Sequence, residues 1–144
     1  MAGSARITGV RITPVAFDDP PLLNSVGVHE PYALRAIVEV DTDAGLTGLG
    51  ETYAGERHLR QLAAAASVLA GHDVFAVSEM YRAVAGLVGG EAVSDRHGLT
   101  GVITAAGTAA RVFSPFEVAC LDLQGKILGR PVCGRLIHSR CRCR

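Results

Sequence analysis

The sequence lacks the features that mark membrane, secreted and nucleic-acid-binding proteins. No apolar run approaches the ~18 residues of a membrane span. The N-terminus, from Met1 to Arg6, lacks the apolar stretch of a secretory signal. The 14 basic and 14 acidic residues give a formal net charge of zero, so no global charge steers the chain towards nucleic acid or a membrane surface. These absences predict a cytoplasmic protein with no nucleic-acid or membrane partner.

Lysine and paired metal ligands are also scarce. Lys126 is the one lysine among the 14 basic residues. Cys133, His138, Cys141 and Cys143 could form a metal cluster, but their spacing fits no C-x-x-C or other paired zinc pattern. An irregular tail is therefore the favoured interpretation of this region. Cys120 falls on the apolar face of a predicted helix, where a free thiol behaves as a small hydrophobe. The four cysteines are Cys120, Cys133, Cys141 and Cys143.

What the chain does contain is a first half with strand patterns. With 144 residues, 49% of them apolar, it is long enough for one packed domain. Strands are predicted over Ile7 to Val15, Ala33 to Asp41 and Leu46 to Tyr53. The turn at 41–45 joins the last two, and Gly48 and Gly50 permit close backbone approach to the third strand. Sequential strands joined in this way predict an antiparallel meander.

Helical patterns fill the second half. Glu56 to Ala70 and Ser78 to Val88 each place apolar residues on one stripe. His58 and His72 are expected at surface or capping positions on helix edges. Residues 91–100 are polar and predicted as a loop, and 104–112 have only weak helical character.

The strongest local helix signal begins at Ser114. Ser114 as N-cap, Pro115 at the first helical position and Glu117 two residues later predict a capping box, and Gly129 predicts the end. Glu117 is therefore expected to cap the helix and not to act as an acid. The predicted fold class is α+β, a three-stranded antiparallel meander followed by a helical layer. The predicted divisions are 1–113 as the domain, 114–136 as a helix leading onward, and 137–144 as an irregular, non-native tail.

Four stretches carry a resemblance to a known family. They are residues 7–15, the loop 22–32 with the pattern L-L-N-x-x-G-x-H-x-P, the stretch 45–51 with the pattern G-x-T-G-x-G-E, and 114–136. Together they resemble the N-terminal capping domain of the enolase superfamily, mandelate racemase branch, and within it the glucarate dehydratases. The likeness extends over residues 6–136. It implies an enolase-type capping domain without the (β/α) barrel that it covers in that family.

The resemblance implies a reaction for the whole enzyme. The family removes a proton next to a carboxylate of an acid sugar and expels water, with Mg²⁺ as cofactor. A weak carbon acid needs a positioned base and a cation that neutralises the developing charge. The family's Lys-x-Lys base motif is missing, and the pairs Asp18–Asp19 and Asp41–Asp43 are explained as turn formers. The isolated chain is therefore expected to be inactive, with no catalytic or metal-binding residue and no cofactor of its own.

By the same resemblance, three residues of this chain contact substrate in the intact enzyme. Asn24 and His29 match loop positions, although His29 has the alternative of packing on its neighbours as a loop anchor. Thr100 matches a third position across a one-residue gap in the alignment. Glu51 is expected to anchor the third strand through backbone contacts.

The chain is thus predicted to be the front third of an acid-sugar dehydratase, shortened by a frameshift or premature stop. The alternative is a free-standing binding module that pairs with a separate barrel subunit. The expected partners are an aldarate-type acid sugar and the barrel. Self-association is also expected, because Leu22, Leu23 and Val28 would expose apolar surface.

Overall fold

Three antiparallel strands form the sheet that the sequence predicts. The computed structural model describes residues 4–18, 32–88, 93–94 and 102–133. Strands and helices follow one another along these residues in an α+β arrangement, and the predicted fold class is confirmed. In chain order the elements are β1 (Ile7–Asp18), β2 (Tyr32–Thr42), β3 (Thr47–Tyr53), α1 (Glu56–Ala66), α2 (Val77–Val88), β4 (Val93–Ser94), β5 (Val102–Ile103) and α3 (Ala105–Leu128).

The order of strands in the large sheet is β1-β2-β3, with both neighbouring pairs antiparallel. Alternate side chains of β2 point to opposite faces, as the period of a strand requires. Ala36, Val38 and Val40 are fully buried beneath the helices. Arg35 and Glu39 belong to the opposite face. The sheet therefore has a helix-covered face and an outer face.

The stretch 91–100 is not simply a loop. Val93–Ser94 pairs antiparallel with Val102–Ile103, and these two-residue strands form a second, small sheet. The polar composition of the stretch gave no sign of this pairing, because a strand of two residues is too short to show an alternating pattern.

The predicted start of the last helix at Ser114 is wrong. α3 begins at Ala105, and its N-cap is Thr104, whose hydroxyl accepts a hydrogen bond from the Gly107 N–H at 3.1 Å. Pro115 lies inside the helix, although it lacks the N–H that an interior position would donate. Buried side chains on both sides of it hold the helix together across that missing bond: Val112, Phe113, Phe116 and Ala119. The predicted division between residues 113 and 114 thus falls within one helix.

Close contact with β3 places α3 against the sheet. A Cβ at Gly48 would lie 2.6 Å from Leu123 Cγ and nearer still to the Ala119 carbonyl oxygen. The close approach expected at the β3 glycines is therefore confirmed. Lys126 Nζ fastens the same contact, donating to the Thr47 carbonyl at 2.6 Å and to Asp122 at 2.8 Å.

α1 and α2 complete the helical layer. α1 ends at Ala66, four residues before the predicted end, and turns lead to Gly71, which has a φ of +84°. Leu62 of α1 and Met80 and Val84 of α2 are fully buried in one core with β2 and α3. None of the described helices is both long enough and apolar enough to cross a membrane.

Candidate functional site

The three predicted substrate contacts, Asn24, His29 and Thr100, lie outside the described residues. The structure does show the residues that flank the segment with Asn24 and His29. Asp18, the last residue of β1, pairs with Tyr32, the first of β2. The segment 19–31, which carries Asn24 and His29, therefore starts and ends at the tip of the β1–β2 ladder. These three assignments remain predictions. Leu22, Leu23 and Val28, on which the expectation of self-association rests, also lie outside the described residues.

The tip of the ladder adjoins a charged and aromatic cluster. Arg35 in β2 and Tyr53 in β3 are directly paired across the sheet. The Arg35 guanidinium carbon lies 5.1 Å from the centroid of the Tyr53 ring, and that of Arg111 in α3 lies 5.5 Å from it. Such distances allow attraction between the cation and the negative face of the ring. Tyr53 thus joins the sheet edge to α3.

Glu51 supplies the negative charge of this cluster. Its carboxylate lies 3.1 Å from Arg35 Nε. Both side chains are accessible to solvent, so the pair contributes little to stability. Glu51 was expected to anchor β3 through backbone contacts; the structure adds a side-chain ion pair with β2. These residues border an open groove of about 330 Å³ between the end of β3 and α3.

His58, for which the sequence predicts a surface or capping position on a helix edge, lies in the first turn of α1 and is half-buried. Its Nε2 is 3.1 Å from the Thr52 hydroxyl, within hydrogen-bonding distance. Burial, and secondarily the positive charge of Arg111, lowers the pKa of His58 from its ordinary value of 6.5. The imidazole is therefore neutral at neutral pH and ties α1 to β3.

A second groove, of about 420 Å³, separates α2 from α3. Tyr81 and Phe113 line it, with their rings edge to face at a centroid distance of 5.6 Å. Arg82 and Glu117 also line it. Glu117 is exposed in the middle of α3, so its predicted role as a cap is wrong.

Asp41, near the end of β2, and Asp43, in the turn that follows, both accept hydrogen bonds. Asp43 accepts the Arg6 N–H at 2.8 Å, and Asp41 accepts the Thr47 hydroxyl at 2.6 Å. Across the described part of the chain, no three His, Cys, Asp or Glu side chains are grouped to hold a metal ion. Cys120 is buried, and burial raises the pKa of its thiol to about 12. Cys120 thus belongs to the core, as predicted from its position on the apolar face of a helix.

Sequence reasoning missed the cluster of Arg35, Tyr53 and Arg111. Arg35 falls within the predicted strand Ala33 to Asp41, and Tyr53 was placed at the end of the third predicted strand. Their meeting with Arg111 depends on where α3 crosses the sheet. Because the helix was expected to start at Ser114, Arg111 was not assigned to it.

No family model matches the chain. A probable glucarate dehydratase of Streptomyces coelicolor is 44% identical over 138 residues, covering 92% of this chain and 32% of that protein. An enolase of Thermobispora bispora, crystallised with magnesium and formate, superposes with a TM-score of 0.86 at 58% identity, covering 91% of this chain and 31% of its own. An enolase of Mycobacterium smegmatis, crystallised with tartrate, superposes with a TM-score of 0.82 at 55% identity. The match covers 94% of this chain and 31% of that one.

These likenesses confirm the predicted resemblance to glucarate dehydratases of the enolase superfamily. They also confirm the fold as that of an enolase-type N-terminal capping domain; within the described residues no barrel accompanies it. A dipeptide epimerase of Enterococcus faecalis, at 18% identity and a TM-score of 0.72, shares the fold. The chain spans about a third of the length of the relatives it matches.

Proposed function

We propose that this chain is the capping part of an acid-sugar dehydratase resembling glucarate dehydratase, and that it has no catalytic activity by itself. The observation that carries the proposal is the 44% identity to a probable glucarate dehydratase across nearly all of this chain. The complete enzyme would remove a proton next to a carboxylate of an aldarate and expel water. It would do so in the cytoplasm, and Mg²⁺ would stabilise the charge that develops on the substrate.

The described residues support the absence of catalysis in this chain. Proton removal from carbon requires a base that faces the substrate with a pKa matched to the task. Lys126 is held by the Thr47 carbonyl and Asp122, and Glu51 is paired with Arg35. His58 is half-buried against Thr52. Among the described residues, no three His, Cys, Asp or Glu side chains are grouped to hold a metal ion, and no catalytic step is assigned to this chain.

The chain's own part would be to hold substrate-facing residues over a barrel. By resemblance, Asn24 and His29 would contact the polar end of the sugar acid. The segment that carries them joins the paired residues Asp18 and Tyr32. Thr100 would contribute a third contact. Residues 1–113 would form the cap together with the part of α3 that shares their core, the chain over 114–136 would lead towards the barrel, and 137–144 would have no role in it.

A chimera tests the proposal. Residues 6–136 of this chain replace the matching third of the Streptomyces coelicolor relative, and the purified chimera is offered a panel of aldarates with Mg²⁺. The keto product of dehydration is measured with a carbonyl reagent. The intact relative and the isolated chain, at equal concentration, are the controls.

We expect the chimera to dehydrate at least one aldarate and the isolated chain to dehydrate none. Turnover by the isolated chain would overturn the assigned lack of catalysis. A folded chimera that is inactive on every aldarate accepted by the intact relative would overturn the assignment to acid-sugar dehydration. Adding the isolated chain to the relative's separate remaining part tests the alternative, a free-standing module, which requires activity to return without covalent linkage.

A further inference from the structure

The groove between α2 and α3 carries two charged side chains that the proposed function does not use. Arg82 of α2 and Glu117 of α3 both line the groove, and both residues are exposed. Neither side chain forms an ion pair or a hydrogen bond with another described residue. Two opposite charges at one groove are therefore available to a molecule that docks there.

Helical spacing brings each charge to the groove. On α2, Ser78 precedes Arg82 by four residues, and on α3, Phe113 precedes Glu117 by four; all of them line the groove. Residues four apart lie on the same face of a helix. The face of α2 that borders the groove is therefore positively charged, and the corresponding face of α3 is negatively charged.

Apart from these charges, the groove is lined mainly by apolar and aromatic side chains. Tyr81 and Phe113 contribute their edge-to-face rings, and Val77 and Ala110 contribute aliphatic groups. Aromatic residues are enriched in protein interfaces, and charged residues are depleted at the centre of an interface but common at its rim. The composition is therefore typical of a surface on which another protein docks.

The opposite signs of the two charges select the docking partner. A two-fold axis brings the same surface of two copies together, so that every contact between two different residues occurs twice. Around an axis through the groove, Arg82 of each copy meets Glu117 of the other. A groove with charge of a single sign would instead repel its own copy. The groove is thus complementary in charge to itself.

The charge of the whole chain also favours association between copies. Its 14 basic and 14 acidic residues give a formal net charge of zero. No net charge therefore holds two copies apart, and proteins close to zero net charge tend to associate. The groove belongs to the helical layer, whereas the segment 19–31, with its predicted substrate contacts, joins β1 to β2.

We infer that the α2–α3 groove docks a second copy of this chain in a two-fold symmetric dimer. Arg82 of each copy pairs with Glu117 of the other, beside the apolar surface of Tyr81 and Phe113. Exposed ion pairs contribute little affinity by themselves. The charges therefore determine how the two copies are oriented, and burial of the apolar surface supplies most of the affinity. The inference does not rest on the proposed function.

A charge-reversal cycle followed by sedimentation equilibrium tests the dimer. The chain is measured from about 1 μM to about 1 mM, a range that includes weak and moderately tight dimers. Arg82→Glu and Glu117→Arg each bring like charges together, and each should raise the dimer Kd by about tenfold or more. The double variant restores opposite charges at both contacts, and its Kd should return to within about threefold of the original value.

Charge reversals outside the groove are the matched controls. Glu79→Arg on α2 and Arg130→Glu after α3 alter exposed residues that do not line the groove. Each changes the net charge by as much as the corresponding groove variant does, but neither should change the dimer Kd appreciably. Far-UV circular dichroism should show that every variant keeps the fold, because all four side chains are exposed.

Hydroxyl-radical labelling of Tyr81, read by mass spectrometry, identifies the occupant of the groove. Labelling that slows only as the dimer forms would support a second copy, with exposed Tyr32 as the reference. Slow labelling at every concentration would mean that another segment of the same chain occupies the groove, and would overturn the inference.

The sedimentation results overturn the inference in two further cases. One is a chain that stays monomeric throughout the concentration range. The other is a dimer that the single reversals leave unchanged or that the double variant does not restore, because its interface then lies elsewhere. Either result leaves the proposed function standing, since dehydration by the chimera is measured separately.

Discussion

Gly50 in β3 lies directly against the backbone of Pro115 in α3. A Cβ on Gly50 would be 2.9 Å from the Pro115 carbonyl carbon and nearer still to its oxygen, closer than real Cβ atoms approach other atoms. Neither residue can move away easily, because Gly50 belongs to a paired strand and Pro115 is buried in a helix. The sheet and α3 can approach this closely because Gly50 has no side chain.

Gly50→Ala should accordingly destabilise the fold. The added methyl group forces strand and helix apart, and overpacking of this kind costs about 1–3 kcal/mol or somewhat more. The free energy of unfolding from urea denaturation measures the effect. Gly9→Ala is the matched control in the same sheet, since no atom lies within 4 Å of the Cβ it would add. Equal loss of stability in the two variants would contradict the close contact.

The start of α3 is tested by two hydroxyl residues ten positions apart. Thr104→Ala removes the hydrogen bond to the Gly107 N–H and should cost about 1 kcal/mol, the usual contribution of an N-cap. Ser114→Ala, an exposed position inside the helix, should change stability by less than about 0.5 kcal/mol. Urea denaturation measures the free energy of unfolding of both variants. A larger loss of stability in Ser114→Ala than in Thr104→Ala would support the helix start predicted at Ser114.

Gln124 makes a buried hydrogen bond that is expected to contribute strongly to stability. Its side-chain amide donates to the Val74 carbonyl at 2.6 Å, where almost none of the residue is exposed. Gln124→Met retains the shape but leaves that carbonyl without its donor, which costs about 1–3 kcal/mol. Chemical denaturation measures the loss. Gln61→Met on α1, where the side chain is not fully buried, serves as the control and should be nearly neutral.

His58 should make stability depend on pH just below neutrality. Its folded-state pKa is lowered, so as pH falls below its unfolded value of 6.5 the unfolded chain binds a proton that the folded chain does not. The stabilisation is complete above that value and declines as the pH falls from 6.5 to the lower folded-state pKa. Thermal midpoints between pH 7.5 and 5 should therefore fall less steeply in His58→Gln than in the unaltered protein.

The two carboxylates Asp73 and Glu39 titrate below this range. Hydrogen bonds from Ser4 and the Phe75 N–H lower the pKa of Asp73 below 3.8, and the hydrogen bond from Arg11 lowers that of Glu39 below 4.5. Their contributions are present above those values and are lost only at more acidic pH. An unchanged slope between pH 7.5 and 5 in His58→Gln would contradict the assigned environment of His58.

Local patterns were sufficient to predict the large sheet. The strand patterns and the turn at 41–45 placed three strands within a few residues of their observed bounds, because a strand with one buried face imposes a period of two. Gly48 and Gly50 also indicated a close approach. The prediction of a helix start at Ser114 was wrong for an equally local reason. The spacing of Ser114, Pro115 and Glu117 is that of a helix start, but residues packed in the core on both sides of Pro115 continue the helix.

The candidate site was less accessible to sequence reasoning. Tyr53 comes within reach of Arg35 through strand register and of Arg111 through the crossing of α3, which are separations of 18 and 58 residues along the chain. Phe17 lies beyond the predicted end of the first strand at Val15, and Tyr32 belongs to the predicted loop 22–32, so neither was assigned to a strand. Their exposure follows from the fact that β3 ends at Tyr53, where β1 and β2 continue.

The sequence by itself determined which segments alternate, where the chain turns, and the family that its motifs resemble, because each depends on residues close together in the chain. Tertiary structure alone decided that α3 runs unbroken through Pro115, that His58 is half-buried, and that Phe17 and Tyr32 remain exposed where β1 and β2 extend beyond the end of β3. Burial depends on which distant segments cover a residue, and no local period carries that information.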